Sequence, residues 1–190
     1  VTGVQTCAIP ICIYKTEDGG NTWNKILYID KHTGFNEIHM DPRNPDVLYA
    51  ASHQRRRHVY TYVGGGPGSG LHKSTDGGLT WKVINKGLPN VEIGRIGMDI
   101  SDANPEIIYA IVEAAERKGG FYKSTNRGEN WVKQSNKVTS GNYYQEIFAD
   151  PVNQDVVYTM DTWMAVTHDG GKTFKNVGED FKHVDNHAMW

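Results

Sequence analysis

Short runs of apolar residues, many of them alternating with polar ones, recur along the chain and are separated by Gly, Pro, Asn and Asp. Alternation at every second position is typical of a strand with one buried face, and the separating residues favour turns. The short connections between the runs favour antiparallel pairing. In the clearest unit the pattern predicts four strands: Ile93–Ile100, Ile107–Val112, Phe121–Ser124 and Asn130–Gln134.

One eight-residue pattern, which we call the box, occurs four times: hydroxyl, any residue, Asp or Asn, any residue, Gly, two further residues, aromatic. The acid and the hydroxyl can bond backbone N–H groups of their own turn, the Gly permits a positive φ, and the aromatic ring can be buried as the next strand begins. Repetition favours a structural role over a catalytic one. The box residues are Thr16, Asp18, Gly20 and Trp23; Ser74, Asp76, Gly78 and Trp81; Ser124, Asn126, Gly128 and Trp131; and Thr167, Asp169, Gly171 and Phe174.

A calcium loop is the chemical alternative for the box. Such a loop needs oxygen ligands at alternating positions and a distal Glu. The box offers one carboxylate near each shared acidic position, and the third copy has Asn126 there. We therefore predict no metal site at the box.

A second motif, which places a turn before a short apolar strand, alternates with the box at Asp41–Tyr49, Ser101–Tyr109 and Asp150–Tyr158. Two motifs in constant order, with a period of roughly 45 to 60 residues, are typical of propeller blades. The predicted fold class is an all-β, β-propeller fragment of four-stranded antiparallel blades, about three of them complete. The predicted units are a half blade at 12–30, blades at about 35–85, 92–135 and 144–177, and the first strand of a further blade at 183–190.

Propellers close with about four blades or more. We therefore interpret the chain as an internal piece of a larger protein, and the remaining blades of that parent chain would be its first partners. Residues 1–11 are unlike the rest, and their run VTGVQTCA resembles the conceptual translation of a common sequencing-library adapter. We interpret 1–11 as a non-native or unstructured segment, with a native strand of modest apolarity as the alternative.

Antiparallel alternation assigns the loops to two faces of the propeller. The turns between strands one and two and the boxes between strands three and four lie on one face. The 2–3 loops and the 4–1 connections lie on the other, which we call the loop face. Because function is commonly carried by variable loops on a rigid scaffold, we expect a binding site on the loop face.

The longest 2–3 loop, Gln54–Gly70, combines arginines with aromatic residues. This mixture suits anionic or planar partners through bidentate bonds and stacking. The alternative is a solvated loop whose arginines pair with carboxylates of a neighbouring blade. The ligand-binding candidates in this loop are Arg55, Arg56, Arg57, His58, Tyr60 and Tyr62.

Further candidates lie near the C-terminal end of the sequence. His183, Asp185 and His187 alternate, so on a strand they would share one side, as ligand-binding or hydrogen-bonded residues. Metal coordination by this set remains an alternative. Trp163 could offer a stacking surface for sugar or peptide, or be a core residue. Four residues of the innermost strands are expected to face the central channel: Glu37, His39, Asp99 and Glu146.

Composition narrows the function classes. With a net charge of -2, 38% apolar and 22% charged residues, the chain fits an ordinary globular protein and offers no basic track for nucleic acid. No window of about 18 apolar residues occurs, so no membrane span is expected. No cofactor motif and no nucleophile-plus-base arrangement stands out, so we assign no catalytic residue.

The box pattern is similar to the Asp-box, or BNR repeat, of sialidases, xyloglucan-active glycoside hydrolases and sortilin-type propellers. The segments DPRNPDVLYA, QRRRH followed by GGGPGSGLHKSTDGG, and HVDNHAMW most resemble large bacterial proteins with sortilin-like (VPS10-type) BNR propellers. The resemblance covers nearly everything from about Ile13 onward. It implies a propeller and a secreted, periplasmic or cell-surface location, but it does not choose an activity.

Two function classes remain open. The first is a non-catalytic scaffold that binds protein, peptide or glycan through the loop face. The second is a fragment of a secreted glycoside hydrolase, xyloglucanase-like or another BNR-repeat glycosidase, in which two carboxylates would share acid and base roles. Asp161 and Asp185 are candidate carboxylates, but their spacing singles out no pair.

Overall fold

The computed structural model describes residues 4–5, 11–178, 180 and 182–189. In that part, the regular secondary structure is almost entirely β, and its helical content is one 3-10 turn, Ala115–Arg117. None of the helical structure described is long and apolar enough to cross a membrane. The fold is a β-propeller fragment, as the repeats predict.

The strands form an N-terminal three-stranded sheet, three four-stranded antiparallel blades and one separate hairpin. The N-terminal sheet contains β1 (Val4–Gln5), β2 (Cys12–Lys15) and β3 (Asn24–Tyr28). The first blade contains β4 (Thr33–Asp41), β5 (Asn44–Gln54), β8 (Gly70–Ser74) and β9 (Lys82–Val83), and the hairpin β6 (Arg56–His58) and β7 (Thr61–Val63) lies between β5 and β8. The second blade contains β10 (Ile93–Ile100), β11 (Ile108–Ala114), β12 (Gly120–Ser124) and β13 (Val132–Ser135). The third contains β14 (Ile147–Ala149), β15 (Val157–Thr159), β16 (Ala165–Thr167) and β17 (Lys175–Asn176).

The four strands predicted for the clearest unit are confirmed, with ends that differ by at most about two residues. The segment expected as the first strand of a further blade, 183–190, forms no strand in its described residues: residues 182–189 are irregular, and Asp185 has a φ of 79°. Its backbone N–H instead donates to the Thr162 carbonyl at 2.9 Å. No strand of the described chain runs beside this segment to supply the ladder hydrogen bonds that a strand requires.

The segment 1–11 lies largely outside the described residues. Within it, Val4–Gln5 pairs with β2, in the register Val4 opposite Lys15. The interpretation of this segment as non-native stays a prediction.

The apolar core lies between consecutive sheets. The largest cluster joins the first and second blades and includes Tyr49, Leu71, Met98 and Trp131. Smaller clusters join the second blade to the third and the N-terminal sheet to the first blade. Each sheet is therefore stabilised by burying its faces against its neighbours, as expected for stacked repeats.

The four boxes form nearly identical turns. In the second copy Ser74 Oγ donates to Asp76 Oδ1 at 2.7 Å, Gly78 N donates to Ser74 Oγ at 2.8 Å, and Thr80 N donates to Asp76 Oδ1 at 2.9 Å. These bonds lower the pKa of Asp76 to about 2, chiefly through Thr80. The acid is thus occupied by its own turn.

The glycine of the box also leaves room for a side chain of the preceding blade. Gly128 has a φ of 82°, and a Cβ placed there would lie 2.7 Å from Ile84 Cδ1 of the blade before it. Trp131 packs into the same inter-blade core and is 3% exposed. Trp23, whose sheet has no sheet before it among the described residues, is 40% exposed. The box aromatic therefore packs toward the preceding blade.

Candidate functional site

The face that carries the boxes is used to join blades. Asp41, which is buried, accepts Nη2 of Arg43 at 3.1 Å and Nη2 of Arg127 from the second blade at 3.0 Å. Arg43 also pairs with Glu106 at 2.7 Å. Burial favours a raised pKa for Asp41, but the bonds and charges of the two arginines outweigh it and lower the pKa. These charged groups are already paired with one another.

The loop face carries a projecting β-hairpin that neither of the other full blades has. It comprises residues 55–63, in which β6 pairs antiparallel with β7 and Arg57 lies opposite Tyr62. The tip residues Val59 and Tyr60 are exposed. Sequence patterns predicted a long loop here, and the structure shows an ordered element of secondary structure.

The two sides of the hairpin carry different side chains. On one side the guanidinium carbons of Arg55 and Arg57 lie 5.8 Å and 6.0 Å from the ring centroid of Tyr62. These distances fit cation–π contacts. We call Arg55, Arg57 and Tyr62 the arginine–tyrosine side.

The second set of side chains on the hairpin forms a chain of contacts. Arg56 Nε donates to His58 Nε2 at 3.0 Å, and His58 stacks on Tyr60 with ring centroids 5.4 Å apart and an interplanar angle of 5°. The hairpin therefore brings together all six of the candidates that its sequence supplied.

The arginines of the hairpin form no ion pair with a carboxylate in the described part of the chain. The guanidinium groups of Arg55 and Arg57 lie against the Tyr62 ring, and that of Arg56 donates to His58. The arrangement therefore differs from the alternative in which a neighbouring blade supplies their partners. Their role in binding stays a prediction.

The glycine-rich segment that follows the hairpin forms a closely packed base. Gly66 N donates to Ile93 O of the second blade at 3.0 Å, and Gly68 N donates to Gln54 Oε1 at 2.9 Å. A Cβ on Gly68 would lie 2.2 Å from Thr33 Oγ1, and one on Gly65 would lie 2.8 Å from Ile93 O. These glycines permit close backbone approach, so the hairpin is anchored at its base.

A cavity of about 640 Å³ lies on the loop face beside this base. Its walls come from the end of the 2–3 loop of the first blade, at Gly66, Pro67 and Ser69, and from the 4–1 connection that leads into the second blade. The connection contributes the apolar residue Leu88, and β10 contributes its first residue, Ile93. The cavity and the hairpin thus share one blade junction.

The candidates near the C-terminal end are only partly brought together. Asp185 accepts a hydrogen bond from the Tyr144 hydroxyl and lies 3.4 Å from Nε2 of His187, whose ring stacks on Tyr144 at 4.8 Å. The Tyr144 bond is the main reason that the pKa of Asp185 is lowered. His183 is exposed and its ring contacts its neighbour's carbonyl at Val184, so it lies outside this contact group.

Trp163, in the 2–3 loop of the third blade, is 58% exposed. It is therefore a surface residue of the loop face, and the core alternative is wrong. In residues 11–178, 180 and 182–189, no group of three or more His, Cys, Asp or Glu side chains is placed to hold a metal ion.

The innermost strands form a polar network that we call the inner cluster: Glu37, His39, Arg95, Asp99 and Glu146. His39 lies 3.3 Å from Glu37 Oε2 and 3.4 Å from Asp99 Oδ1, so its ring connects the first blade to the second. Arg95 pairs with Glu146 and connects the second blade to the third. These charged groups therefore join the inner strands of neighbouring blades in addition to the apolar clusters between the sheets.

Proton affinities in the inner cluster differ from their usual values. Burial raises the pKa of Glu37 and of Asp99. Burial opposes protonation of His39, but its carboxylate neighbours outweigh this and raise its pKa. Sequence reasoning named Glu37, His39, Asp99 and Glu146 but missed Arg95, whose place on the same side of β10 as Asp99 follows from their separation of four residues.

Comparisons with known proteins give the fold class. No protein-family model and no curated protein sequence matches the chain. Among solved structures, the chain is similar to an ancestral GH74 enzyme, with a TM-score of 0.59 and 19% identity over 91% of this chain and 22% of that one. It is also similar to the GH74 xyloglucanase from Xanthomonas campestris, with a TM-score of 0.65 and 13% identity over 85% of this chain and 25% of that one.

A third similar structure is YCF48 bound to D1 peptide, with a TM-score of 0.55 and 14% identity over 92% of this chain and 49% of that one. The chain spans less than half the length of each of these proteins. At these identities the similarity shows a β-propeller and leaves enzyme status open.

Proposed function

We propose that the chain is part of a non-catalytic β-propeller scaffold that binds a protein, peptide or glycan through its loop face. The observation that carries this proposal is the anchored hairpin, which presents three arginines without carboxylate partners in the described chain. Arginine and tyrosine side chains presented by a loop on a rigid scaffold are common in recognition surfaces.

The acids of the box support a structural role for that motif. Asp18, Asp76 and Asp169 all have lowered pKa values, mainly because of hydrogen bonds from a Thr four residues later. A general acid needs a proton near neutral pH, which these turns oppose. Asp185, a carboxylate considered for catalysis, is likewise stabilised in its charged form.

We also propose that the chain is related to sortilin-like BNR propellers and that the protein is secreted, periplasmic or at the cell surface. It is supported by the four boxes and by the resemblance of the long 2–3 loop. A propeller of similar fold, YCF48, has been solved bound to D1 peptide, which makes peptide recognition a reasonable use of the architecture.

The proposal is tested by probing the 190-residue chain on peptide and glycan arrays. The test variant, which we call the loop-face variant, has residues 56–63 replaced by Asn-Gly, which favours a tight turn. We expect saturable binding that the loop-face variant loses and that Lys172→Gln, an exposed change on the box face, retains. Binding that the loop-face variant retains would contradict use of the hairpin.

Glycoside hydrolysis is the second candidate, and the raised pKa of Glu37 favours it because a protonated carboxyl can act as an acid. The test is release of reducing sugar from xyloglucan and of sialic acid from sialosides. Turnover that Glu37→Gln abolishes would replace the binding proposal with an enzymatic one.

A further inference from the structure

We propose that the arginine–tyrosine side of the hairpin docks an extended acidic peptide carrying acidic residues at alternate positions. This inference rests on the proposed binding function and specifies the chemistry of its ligand. The ligand strand would run along β6 with its carboxylates directed at Arg55 and Arg57.

The first support is the crowding of positive charge. Arg55 and Arg57 both lie within about 6 Å of one tyrosine ring, so two cations are held on the same side of the hairpin. Two like charges on one side of a hairpin repel each other, and no carboxylate of the described chain pairs with either of them. Two carboxylates from a ligand would relieve the repulsion and accept bidentate bonds, which guanidinium groups make well.

The second support is the spacing of the two arginines. Arg57 lies in β6 and Arg55 immediately precedes that strand, and both contact Tyr62 on one side of the hairpin. Residues two apart along a strand repeat at about 7 Å. A second extended chain has the same repeat. An acidic residue at every second position therefore matches both arginines at once, whereas consecutive acids would place one carboxylate on the opposite side.

The third support is the open backbone of the hairpin. β6 and β7 form a sheet of two strands, and no third strand joins it in the part of the chain that the structure describes. The N–H of Arg55 already donates to the carbonyl of His32 at 2.9 Å, so the open edge of β6 lies beyond that group, toward the tip. Unpaired strand edges accept an added strand, and main-chain hydrogen bonds then supply affinity while side chains supply specificity. A peptide can use this edge, but a polysaccharide or a nucleic acid cannot.

The hairpin also offers apolar contact at its tip, since Val59 and Tyr60 are exposed. Tyrosine and arginine are common among residues that carry binding energy in protein interfaces. The small number of arginines and the overall charge of -2 disfavour long polyanions, which bind by neutralising many phosphates or sulfates.

The test uses fluorescence anisotropy with the 190-residue chain. The probe is a fluorescein-labelled ten-residue peptide of alternating Glu and Val, and the control probe has Gln at each Glu position. We expect salt-sensitive binding of the Glu peptide. Arg55→Gln combined with Arg57→Gln should weaken it about tenfold or more, since hydrogen bonds between charged groups are the strong class.

Two further variants separate charge, geometry and folding. Arg55→Lys combined with Arg57→Lys keeps the charge and loses the bidentate fork, so we expect an intermediate affinity. Lys172→Gln combined with Lys175→Gln removes the same charge from exposed positions of the third blade and should change affinity less than about twofold. Circular dichroism of each variant verifies the fold.

Three outcomes would overturn the proposal: no binding of the Glu peptide, binding that the Arg-to-Gln pair leaves unchanged, or tighter binding of a heparin oligosaccharide or a ten-nucleotide oligothymidylate. If an array ligand still binds through the loop face after the arginine change, the acidic-peptide proposal fails while the binding function stands.

Discussion

The indole N–H of Trp131 donates a 2.7 Å hydrogen bond to the carbonyl of Ile84, which belongs to the preceding blade. Trp81, at the same position of its own box, donates instead to Gly78 within that box at 3.1 Å. One motif therefore serves two connections: it closes its own turn everywhere, and at Trp131 it also bonds one blade to the next.

Replacement of Trp131 by Phe should destabilise the fold by about 1–3 kcal/mol, because the buried Ile84 carbonyl loses its indole donor. Trp81→Phe is the matched control and should cost less, because Trp81 is only half-buried and its bond is local. Urea denaturation followed by far-UV circular dichroism measures both. Equal costs for the two variants would count against an inter-blade role for Trp131.

Replacement of Asp76 by Asn should be better tolerated than replacement by Ala. The third box already uses Asn126, whose Oδ1 accepts from Asn130 N at 3.0 Å and from Ser124 Oγ at 3.0 Å. An alanine removes every one of these bonds. Melting temperatures of the two variants at pH 7 provide the measurement, and a lower value for the Asn variant would contradict the turn role.

Acid should weaken the boxes. The pKa of Asp76 is about 2 in the folded chain against 3.8 as the ordinary value, so its stabilising contribution is present above pH 4 and is lost as the pH falls from about 4 to 2. Denaturation midpoints of wild type and Asp76→Asn measured across this range should converge as the acid is protonated. Midpoints that stay equally far apart would argue against this linkage.

His39→Gln should destabilise the chain more at pH 6 than at pH 8. The pKa of His39 is raised in the folded state by Glu37 and Asp99, so its contribution is full below the ordinary value of 6.5 and is lost as the pH rises through the folded value. The direct comparison of wild type with the variant is needed because His72, whose burial lowers its pKa to about 4, has the opposite pH dependence.

The measurement is the free energy of unfolding of both proteins at pH 6 and pH 8, together with NMR titration of the His39 ring. The groups that face His39 are Glu37 and Asp99, and Arg95 and Glu146 lie in the same inner cluster. If the loss of unfolding free energy caused by His39→Gln grows with pH, the ring acts as a neutral hydrogen-bonding group.

Gly68→Ala should loosen the hairpin. The added Cβ would meet Thr33 Oγ1 at 2.2 Å, and Thr33 is fully buried, so the base of the hairpin must shift. We expect faster tryptic cleavage after the hairpin arginines. Gly178→Ala, whose Cβ would have its nearest neighbour at 3.9 Å, should cleave like wild type, and unchanged cleavage of Gly68→Ala would contradict the anchored base.

The fold could be predicted because its determinants are local and repeated. The alternation of apolar and polar residues predicted the bounds of β10, and the box predicted the turn before β13. Each of these signals is carried by residues that lie close together in the sequence. The described residues of the expected strand at 183–190 form none, because strand formation requires a pairing partner, which alternation of His183, Asp185 and His187 cannot reveal.

The candidate site was only partly predictable. The arginines and tyrosines of the long loop stood out by composition, but Val59 and Tyr60 are not the Asn-Gly or Gly-containing pair that usually marks a hairpin turn. The contact between Tyr144 and Asp185 joins distant parts of the chain, so no spacing rule could locate it. The ion pair of Arg95 with Glu146 joins two blades, so the position of Arg95 on β10 could be inferred from the sequence but its partner could not.

At the hairpin, the residues that stabilise the blade are different from the residues that the blade exposes to solvent. Residues 56–63 are exposed, whereas Gly66 and Ser69 are buried and bonded to the scaffold. Substitutions at the tip can therefore accumulate with little effect on folding, much as variable loops diversify on a fixed immunoglobulin framework. Relatives that keep this base could evolve new ligand preferences by exchanging eight residues, without rebuilding a single blade.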